Sequence, residues 1–355
     1  MRILYEKTLD GICLQRCYGL DKILEIPVTA DGMPVTELAA YLFSDTVRRR
    51  EPPPGEYQGE PELCGSRVEV ISLPDTIRKV GAYGFYNCYG LKRLSCSSAV
   101  EDWGAGVFTG CTGLECLDIR IAKGRKSCFK DILSELHHTL SVNYRSGSGT
   151  LLAKLIFPEF FEESVENTPA RIIMREMHGC GHMYRYCFDG GDFRFDEYDR
   201  LFPHVKVQEK PELAVRLALY RLYWPYGLRE DAEDEYWDYV RIHAGEGTKG
   251  LIERRERDIL GFMARSARLG DTEIKKMIDA SARSGDAQSS ALLLDVKHSR
   301  LRAAGRNGWG EADLRGGGKR TFVSPTRTLQ YNCSSEKHKK APGCSPGENK
   351  HLFDF

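Results

Sequence analysis

Residues 84–94 read GFYNCYGLKRL and residues 107–117 read VFTGCTGLECL. Both spell Phe-x-x-Cys-x-x-Leu-x-x-Leu, 23 residues apart. The interval holds for three trios of apolar positions: Val68, Leu91 and Leu114; Ile71, Leu94 and Leu117; Leu73, Cys96 and Ile119. Val80 and Trp103, Ala82 and Ala105, Phe85 and Phe108, and Cys88 and Cys111 keep the same shift. A fixed period of this length predicts stacked coils, because one repeat cannot bury its own apolar face without neighbours. Side chains alternate between the two faces of a strand, so Leu91, Leu94 and Cys96 are predicted to point inward and stack on their counterparts. The segment after Gly81 is predicted to form a short helical turn, with Phe85 closing the other side of the core. Cys88 falls at the turn back to the strand, where only a small side chain fits.

A diverged copy precedes these. LEIP (24–27) matches ISLP (71–74), and TELAAYLF (36–43) matches RKVGAYGF (78–85), with TADGMPV as extra residues. The segment 45–65, DTVRRREPPPGEYQGEPELCG, separates the first and second copies. Its prolines, glycines and mixed charges predict an exposed loop insertion.

The trios have the form L-x-x-L-x-L, the strand signature of a leucine-rich repeat. The stretch LPDTIRKVGAYGFYNCYGLKRL resembles the BspA-like type of bacterial leucine-rich repeat, which carries a proline after the strand, then I-x-x-I-G-x-x-A-F, then C-x-x-L-x-x-I. The resemblance covers residues 10 to 120, about a third of the chain. It implies a solenoid for residues 1–120 and a binding role with no shared chemistry. Many proteins of this type are surface proteins.

The period stops after residue 120. SCFKDILSELHHTL reads as an amphipathic helix, and LSVNY and LLAKLIFPEF as strands about an RSGSG turn. Residues 121–205 are therefore expected to form a small α/β connector that closes the open end of the solenoid. From Pro211 the pattern is helical: PELAVRLALYRLYW, ended by Pro225, then EDAEDEYWDYVRIH and LIERRERDILGFMARSARLG. SARLGDTEIKKMIDA (266–280) and SARSGDAQSSALLLD (281–295) echo each other, with a glycine to end one helix and an aspartate to cap the next at Gly270–Asp271 and Gly285–Asp286. Residues 206–299 are thus expected to form an all-α helical-repeat domain similar to ankyrin-type stacks, although the T-P-L-H signature is absent. Residues 300–355 lose periodicity and turn rich in Gly, Ser, Lys and Pro, which predicts a disordered tail or an aberrant terminus. The expected fold class is an α/β leucine-rich-repeat solenoid, a small α/β connector and an all-α helical-repeat domain.

Composition narrows the function. Lys plus Arg and Asp plus Glu both total 51, so the chain of 355 residues has no net charge to draw it to nucleic acid or membrane. No export signal and no apolar run of membrane-spanning length is read, and a cytoplasmic location is expected. In a reducing compartment the 12 cysteines act as buried small apolar groups.

His178, Cys180, His182 and Cys187, in HGCGHMYRYC, are all residue types that ligate zinc. Their H-x-C-x-H alternation would align the first three on one face of a strand, but no C-x-x-C pair occurs. The plainer reading is a glycine-loosened strand or loop with a buried thiol and surface imidazoles. No metal and no cofactor are expected, with zinc at these four residues as the alternative. A Cys–His nucleophile lacks a third orienting group. Asp189, Asp192, Asp196, Glu197 and Asp199 lack the order of a calcium loop and read as a solvated acidic connection. GEGTKG (245–250) lacks the register of a phosphate loop. RLYWPYG (221–227) reads as core packing.

The x positions of the strands form the exposed face that solenoids use for binding. Here they are Glu69, Val70 and Ser72; Lys92, Arg93 and Ser95; Glu115, Cys116 and Asp118. Charge along the stack runs acidic, basic, acidic, a pattern that suits either a mixed-charge protein surface or simple solubility. The function expected is a non-enzymatic protein-interaction module or scaffold binding an unknown protein through this face, with a BspA-like surface or host-interaction protein as the alternative.

Overall fold

The computed structural model describes residues 1–46, 55–122, 124, 127–167 and 172–308. Its N-terminal part is a β-solenoid of about five turns, and the part that follows holds nine helices among the described residues. Residues 1–305 form one compact unit. The segments expected to be loop insertion and tail lie partly outside the described residues, at 47–54 and beyond 308.

Each coil contributes a strand to one sheet and a shorter strand to another. The first sheet contains β1 (Arg2–Lys7), β2 (Ile12–Tyr18), β4 (Thr29–Ala30), β5 (Met33–Leu38), β9 (Lys79–Val80) and β11 (Asp102–Trp103), in the order β1-β2-β5-β9-β11 with β4 also on β5. The second contains β3 (Ile23–Glu25), β8 (Val70–Ser72), β10 (Arg93–Ser97), β12 (Cys116–Arg120), β13 (Leu140–Arg145) and β14 (Leu151–Phe157), in the order β14-β13-β12-β10-β8-β3. In the chain between β5 and β8, β6 (Glu56–Tyr57) and β7 (Glu60–Pro61) make a small hairpin.

The repeat appears as register. Leu94 pairs with Ile71 and Leu117, and Cys96 with Ile119, in parallel ladders. Ile71, Leu94, Cys96, Leu117 and Ile119 are fully enclosed. The turn opposite the strands is closed by i→i+3 bonds, from Gly84 N–H to Gly81 O at 3.2 Å and from Cys88 N–H to Phe85 O at 3.1 Å. Phe43, Phe85 and Phe108 stack along the axis with centroids 5.2 and 5.6 Å apart and planes within 5° and 7°. Cys88 and Cys111 donate S–H to the carbonyls of Phe43 and Phe85 on the preceding coil, at 3.1 and 2.9 Å.

Two glycine files set how closely the coils approach. A Cβ on Gly81 or Gly104 would lie 2.4 Å from the backbone nitrogen of Ala40 or Ala82 in the preceding coil. A Cβ on Gly90 or Gly113 would lie 2.5 or 2.4 Å from the carbonyl oxygen of Ser66 or Tyr89. The segment 45–65 departs from expectation at its end. Leu63 and Cys64 are buried, Leu63 N–H bonds Cys17 O at 2.8 Å, and the fully enclosed Glu62 pairs with Arg16 at 3.0 Å. These bonds tie the returning chain to β2, so only the part before them remains available to a loop.

Both ends of the stack are closed by antiparallel strands, β1 on β2 and β14 on β13. At the C-terminal end, α1 (Phe129–Glu135) replaces the next short strand, and its Glu135 accepts the Phe108 N–H at 2.9 Å. Then come the hairpin β15 (Phe161–Asn167) and β16 (Ile172–His178), α2 (Gly181–Tyr184), β17 (Phe188–Asp189), β18 (Asp192–Phe193), α3 (Phe195–Arg200) and α4 (Phe202–Gln208). The helical part continues as α5 (Pro211–Tyr223), α6 (Glu230–Ile242), α7 (Ala244–Glu253), α8 (Arg257–Arg265), α9 (Asp271–Ser284) and α10 (Ala287–Gly308).

The outer edge of β14 is capped by α3. The Tyr198 hydroxyl donates to Ile156 O at 2.7 Å and accepts from Ile156 N–H at 3.0 Å, so one side chain satisfies both edge groups. Beside it, Asp199 receives a two-pronged ion pair from Arg221 at 2.8 and 2.9 Å and the Tyr236 hydroxyl at 2.8 Å, tying α3, α5 and α6 together. Asp199 therefore departs from the expected solvated acidic connection: it is buried, as a partner to buried Arg221.

Two helical expectations change, and GEGTKG, already set aside as a phosphate loop, falls inside α7. LIERRERDILGFMARSARLG is divided between α7 and α8 at Arg255, which takes φ +59°. Asp271 is the first residue of α9 rather than its cap; Gly270 precedes it and donates N–H to the Glu273 carboxylate at 2.9 Å. Gly285 ends α9 in the left-handed conformation at φ +70°, as expected of a C-terminal glycine.

Gly104→Ala is expected to lower the urea midpoint by the equivalent of about 1–3 kcal/mol, because the added methyl meets backbone that cannot rotate away. Tyr198→Phe is expected to cost about 1–3 kcal/mol by leaving the β14 edge groups unpaired. Circular dichroism through a urea titration checks both, and unchanged midpoints would contradict the glycine and edge-cap arguments.

Candidate functional site

The strand positions that do not face the core form the outward side of the second sheet. One file runs Val70, Arg93, Cys116 and Ser141; the next runs Ser72, Ser95, Asp118 and Asn143. Lys22, Glu69, Lys92 and Glu115 border the strand starts.

Part of the charge in this face is used between coils. Glu69 accepts from Lys22 at 2.7 Å and from Lys92 at 3.0 Å, and these hydrogen bonds hold its carboxyl below the usual carboxylate range. Asp118 accepts from Arg145 at 2.7 Å and from Asn143 at 3.2 Å. Exposed pairs of this kind contribute little individually, and their effect here is to fix neighbouring side chains in register. Arg93 and Glu115 are exposed and form no ion pair among the described residues. Ser72 and Ser95 make a half-buried, uncharged track between the charged borders.

At its C-terminal end the face meets α5. Lys154 projects from β14 on the outward side, paired across the ladder with Asn143. Its ammonium lies 4.0 Å from the Tyr220 ring centroid and 3.6 Å from Glu256 Oε1, and burial lowers its pKa. Tyr220 donates its hydroxyl to the same carboxylate oxygen. Arg216, one helical turn before Tyr220, keeps 6% of its surface and forms no hydrogen bond or ion pair among the described residues. Burial lowers its pKa; Arg254 lowers it further, while Tyr220, Glu256 and Glu115 act to raise it. Lys154, Arg216 and Glu256 were not among the expected site residues. A signal was present: α5 is apolar on nearly all sides, so a charged residue within it had little chance of reaching solvent.

The expected zinc candidates occupy different settings. The strand ends at His178, and Gly181–Tyr184 is helical, so the H-x-C-x-H alternation does not line one face. His178 stacks on Phe161 and lies 3.3 Å from Glu163. His182 bonds Gly179 O through Nδ1 at 2.9 Å. Cys180 and Cys187 are buried, and burial is the main cause pushing both thiols up to about 12. Among the described residues no group of three or more His, Cys, Asp or Glu is placed to hold a metal ion.

The repeating strand–turn coils, the register of the two sheets and the phenylalanine ladder define a leucine-rich-repeat solenoid, here joined to a helical part. Residues 62–159 match the family model described as BspA type Leucine rich repeat region (6 copies), so the chain carries a BspA-type region. Among solved structures, similarity is found to a leucine rich cell surface protein from Faecalibacterium prausnitzii A2-165, at 17% identity, covering 41% of each chain, with a TM-score of 0.27. It is also found to the T. pallidum leucine rich repeat protein, at 20% identity, covering 33% of this chain and 68% of that one, with a TM-score of 0.19. The chain thus spans 41% of the length of the first of these. The comparison with curated proteins gives no match. Leucine-rich-repeat regions generally mediate protein–protein interaction.

With both thiols neutral and enclosed, Cys180 and Cys187 are expected to resist iodoacetamide in the native protein at pH 7.5 and to react fully in urea. Peptide mapping by mass spectrometry reads this, and rapid native labelling at either would contradict the burial.

Proposed function

We propose that the protein is a non-enzymatic interaction module whose protein partner docks on the outward face of the second sheet, across Glu69, Ser72, Lys92, Arg93, Ser95, Glu115 and Asp118. The observation that carries this reading is the Ser72–Ser95 track. It is uncharged, half-buried and bordered by exposed charge, so a partner can desolvate it at small cost while the border steers orientation. The order of charges supports a mixed-charge partner, with Arg93 and Glu115, exposed and without an ion pair among the described residues, as the groups to meet it, since Lys92 and Asp118 are already paired within the stack. A cytoplasmic location belongs to the same proposal; its support is that the ten described cysteines are free thiols, most of them buried.

The test places a bulky charge in the track. Ser95→Arg, with Arg93→Glu as a second variant, is expected to remove a partner captured by the parent protein from cell extract and identified by cross-linking to the face. Arg93 is exposed, so Arg93→Glu is expected to shift stability by no more than about 0.5 kcal/mol, and for both variants an unchanged urea midpoint separates lost binding from lost folding. A cross-linked partner retained by both variants would move the binding site off the solenoid.

A further inference from the structure

A groove of about 980 Å³ lies between α7 and α9. One wall is α7 with Ile242, the last residue of α6; the other is α9. The charged residues of the first wall are Glu246, Lys249 and Glu253, spaced by three and four. Those of the second are Lys276, Asp279 and Arg283, with the same spacing. Residues three and four apart are neighbours on a helix, so each set forms one row. The α7 row reads acid, base, acid and the α9 row reads base, acid, base. All six side chains are exposed.

The two rows do not meet each other. Lys276, Asp279 and Arg283 form no ion pair among the described residues, although neighbours in that row have opposite sign. The α7 charges pair only on their own side of the groove. Lys249 lies 3.5 Å from Glu212 and 3.9 Å from Glu253, and Glu246 lies 3.7 Å from His243. Exposed contacts of this length hold their members weakly. Between the rows the lining is apolar. Ile242 keeps 61% of its surface, Ile252 is half-buried and Ala280 is buried. Gly245 contributes no side chain, and a Cβ on it would lie 3.8 Å from Lys276 O, where the two helices approach.

A groove lined by one sign of charge would call for an occupant of the other. This one carries three charges of each sign, and the surface complementary to it is the same surface on a second molecule. In an isologous contact a patch meets itself, so residue i touches j of the other copy and j touches i. Two helix pairs stacked in this way form a four-helix arrangement. Its core is the groove lining, and its flanks carry interhelical charge pairs. Here α7 of each copy lies on α9 of the other, acid–base–acid against base–acid–base. Both orders of sign are palindromic, so all three pairs are opposite whether the facing helices run parallel or antiparallel. In either direction Lys249 meets Asp279 of the second copy, and Glu246 and Glu253 meet its Lys276 and Arg283. The exposed Ile242 is buried in the same contact. We propose that the α7–α9 face is a self-association surface through which two copies of this chain form a dimer. None of its residues belongs to the strand face proposed above, so the two contacts are independent.

The test is sedimentation equilibrium of the full chain under reducing conditions, from about 1 to about 300 μM. The parent is expected to follow a monomer–dimer equilibrium with a Kd of about 10–100 μM, as suits a contact with a small apolar core. Lys249→Glu and Asp279→Lys each set like charges opposite one another, and each is expected to raise Kd about tenfold or more. The combined variant restores opposite signs, and its Kd is expected within about threefold of the parent. Ile242→Asp is expected to raise Kd about tenfold as well. All three positions are exposed, so urea midpoints measured well below Kd are expected to match the parent, which separates lost association from lost folding. A parent that stays monomeric over the whole range would overturn the proposal and leave the groove to a helix of another protein. A dimer indifferent to Lys249→Glu and Asp279→Lys would overturn it too. So would a combined variant that recovers no affinity, because the facing of α7 and α9 would then be wrong. Species larger than a dimer would overturn the closed two-copy contact.

Discussion

The close approach of one coil to the next is the constraint on which the rest of this structure depends. Strands in a parallel ladder sit about 4.8 Å apart, and every coil must hold that distance on all of its sides at once. On the strand side, branched and apolar residues manage it through register, Leu94 against Ile71 and Leu117. On the turn side no side chain fits between backbones, and Gly81, Gly104, Gly90 and Gly113 leave the space. The stacked rings of Phe43, Phe85 and Phe108 then fill the middle at nearly the same repeat. Cysteine follows from the same geometry. At the positions of Cys88 and Cys111 the side chain must be small and apolar, yet it faces a carbonyl, and a thiol meets both demands.

A stack of coils has two open ends, and this chain closes them with ordinary secondary structure. At the N-terminal end a strand turns back antiparallel, as β1 does on β2; at the other, β14 does so on β13. An added strand only moves the open edge outward by one place. The edge is finally removed by Tyr198, whose hydroxyl replaces a neighbouring strand for Ile156. That hydroxyl is held in place by the buried Asp199–Arg221–Tyr236 group behind it. The helical part is thus bonded to the solenoid through Tyr198, next in sequence to the Asp199 that ties its own helices together, in keeping with residues 1–305 forming a single compact unit.

Periodic features were legible in the sequence and aperiodic ones were not. The trios, the phenylalanines and the cysteines announce a solenoid because stacking forces identical environments to recur every 23 residues. The glycine files carry the same period, but glycine is common in turns for other reasons, and its meaning depends on which backbone lies opposite. The end of segment 45–65 looked like loop because Glu62 and Cys64 have no counterpart in the repeat; their burial is decided by β2, which is remote in sequence. The His–Cys segment misled in the opposite direction. Four ligand types close in sequence suggested one face of a strand, yet the strand stops at His178 and the chain turns helical at Gly181.

The candidate site divides along the same line. The outward positions of the strands follow from alternation alone, so Ser72, Ser95 and their neighbours could be named from the repeat. Which charges are paired could not, because pairing runs between coils: Lys92 and Asp118 have ion-pair partners, and Arg93 and Glu115 have none among the described residues. Arg216 was harder still. That its Nε meets no acceptor among the described residues is a property of the whole environment rather than of a motif. Within PELAVRLALYRLYW the only hint is that two arginines sit in a helix with almost no polar side. One of them, Arg221, meets Asp199 and becomes part of the framework. The other, Arg216, is buried with its guanidinium 5.8 Å from the Tyr220 ring and has no ion pair among the described residues. Two residues of one type on one helix thus differ in whether the fold places a carboxylate in contact with them.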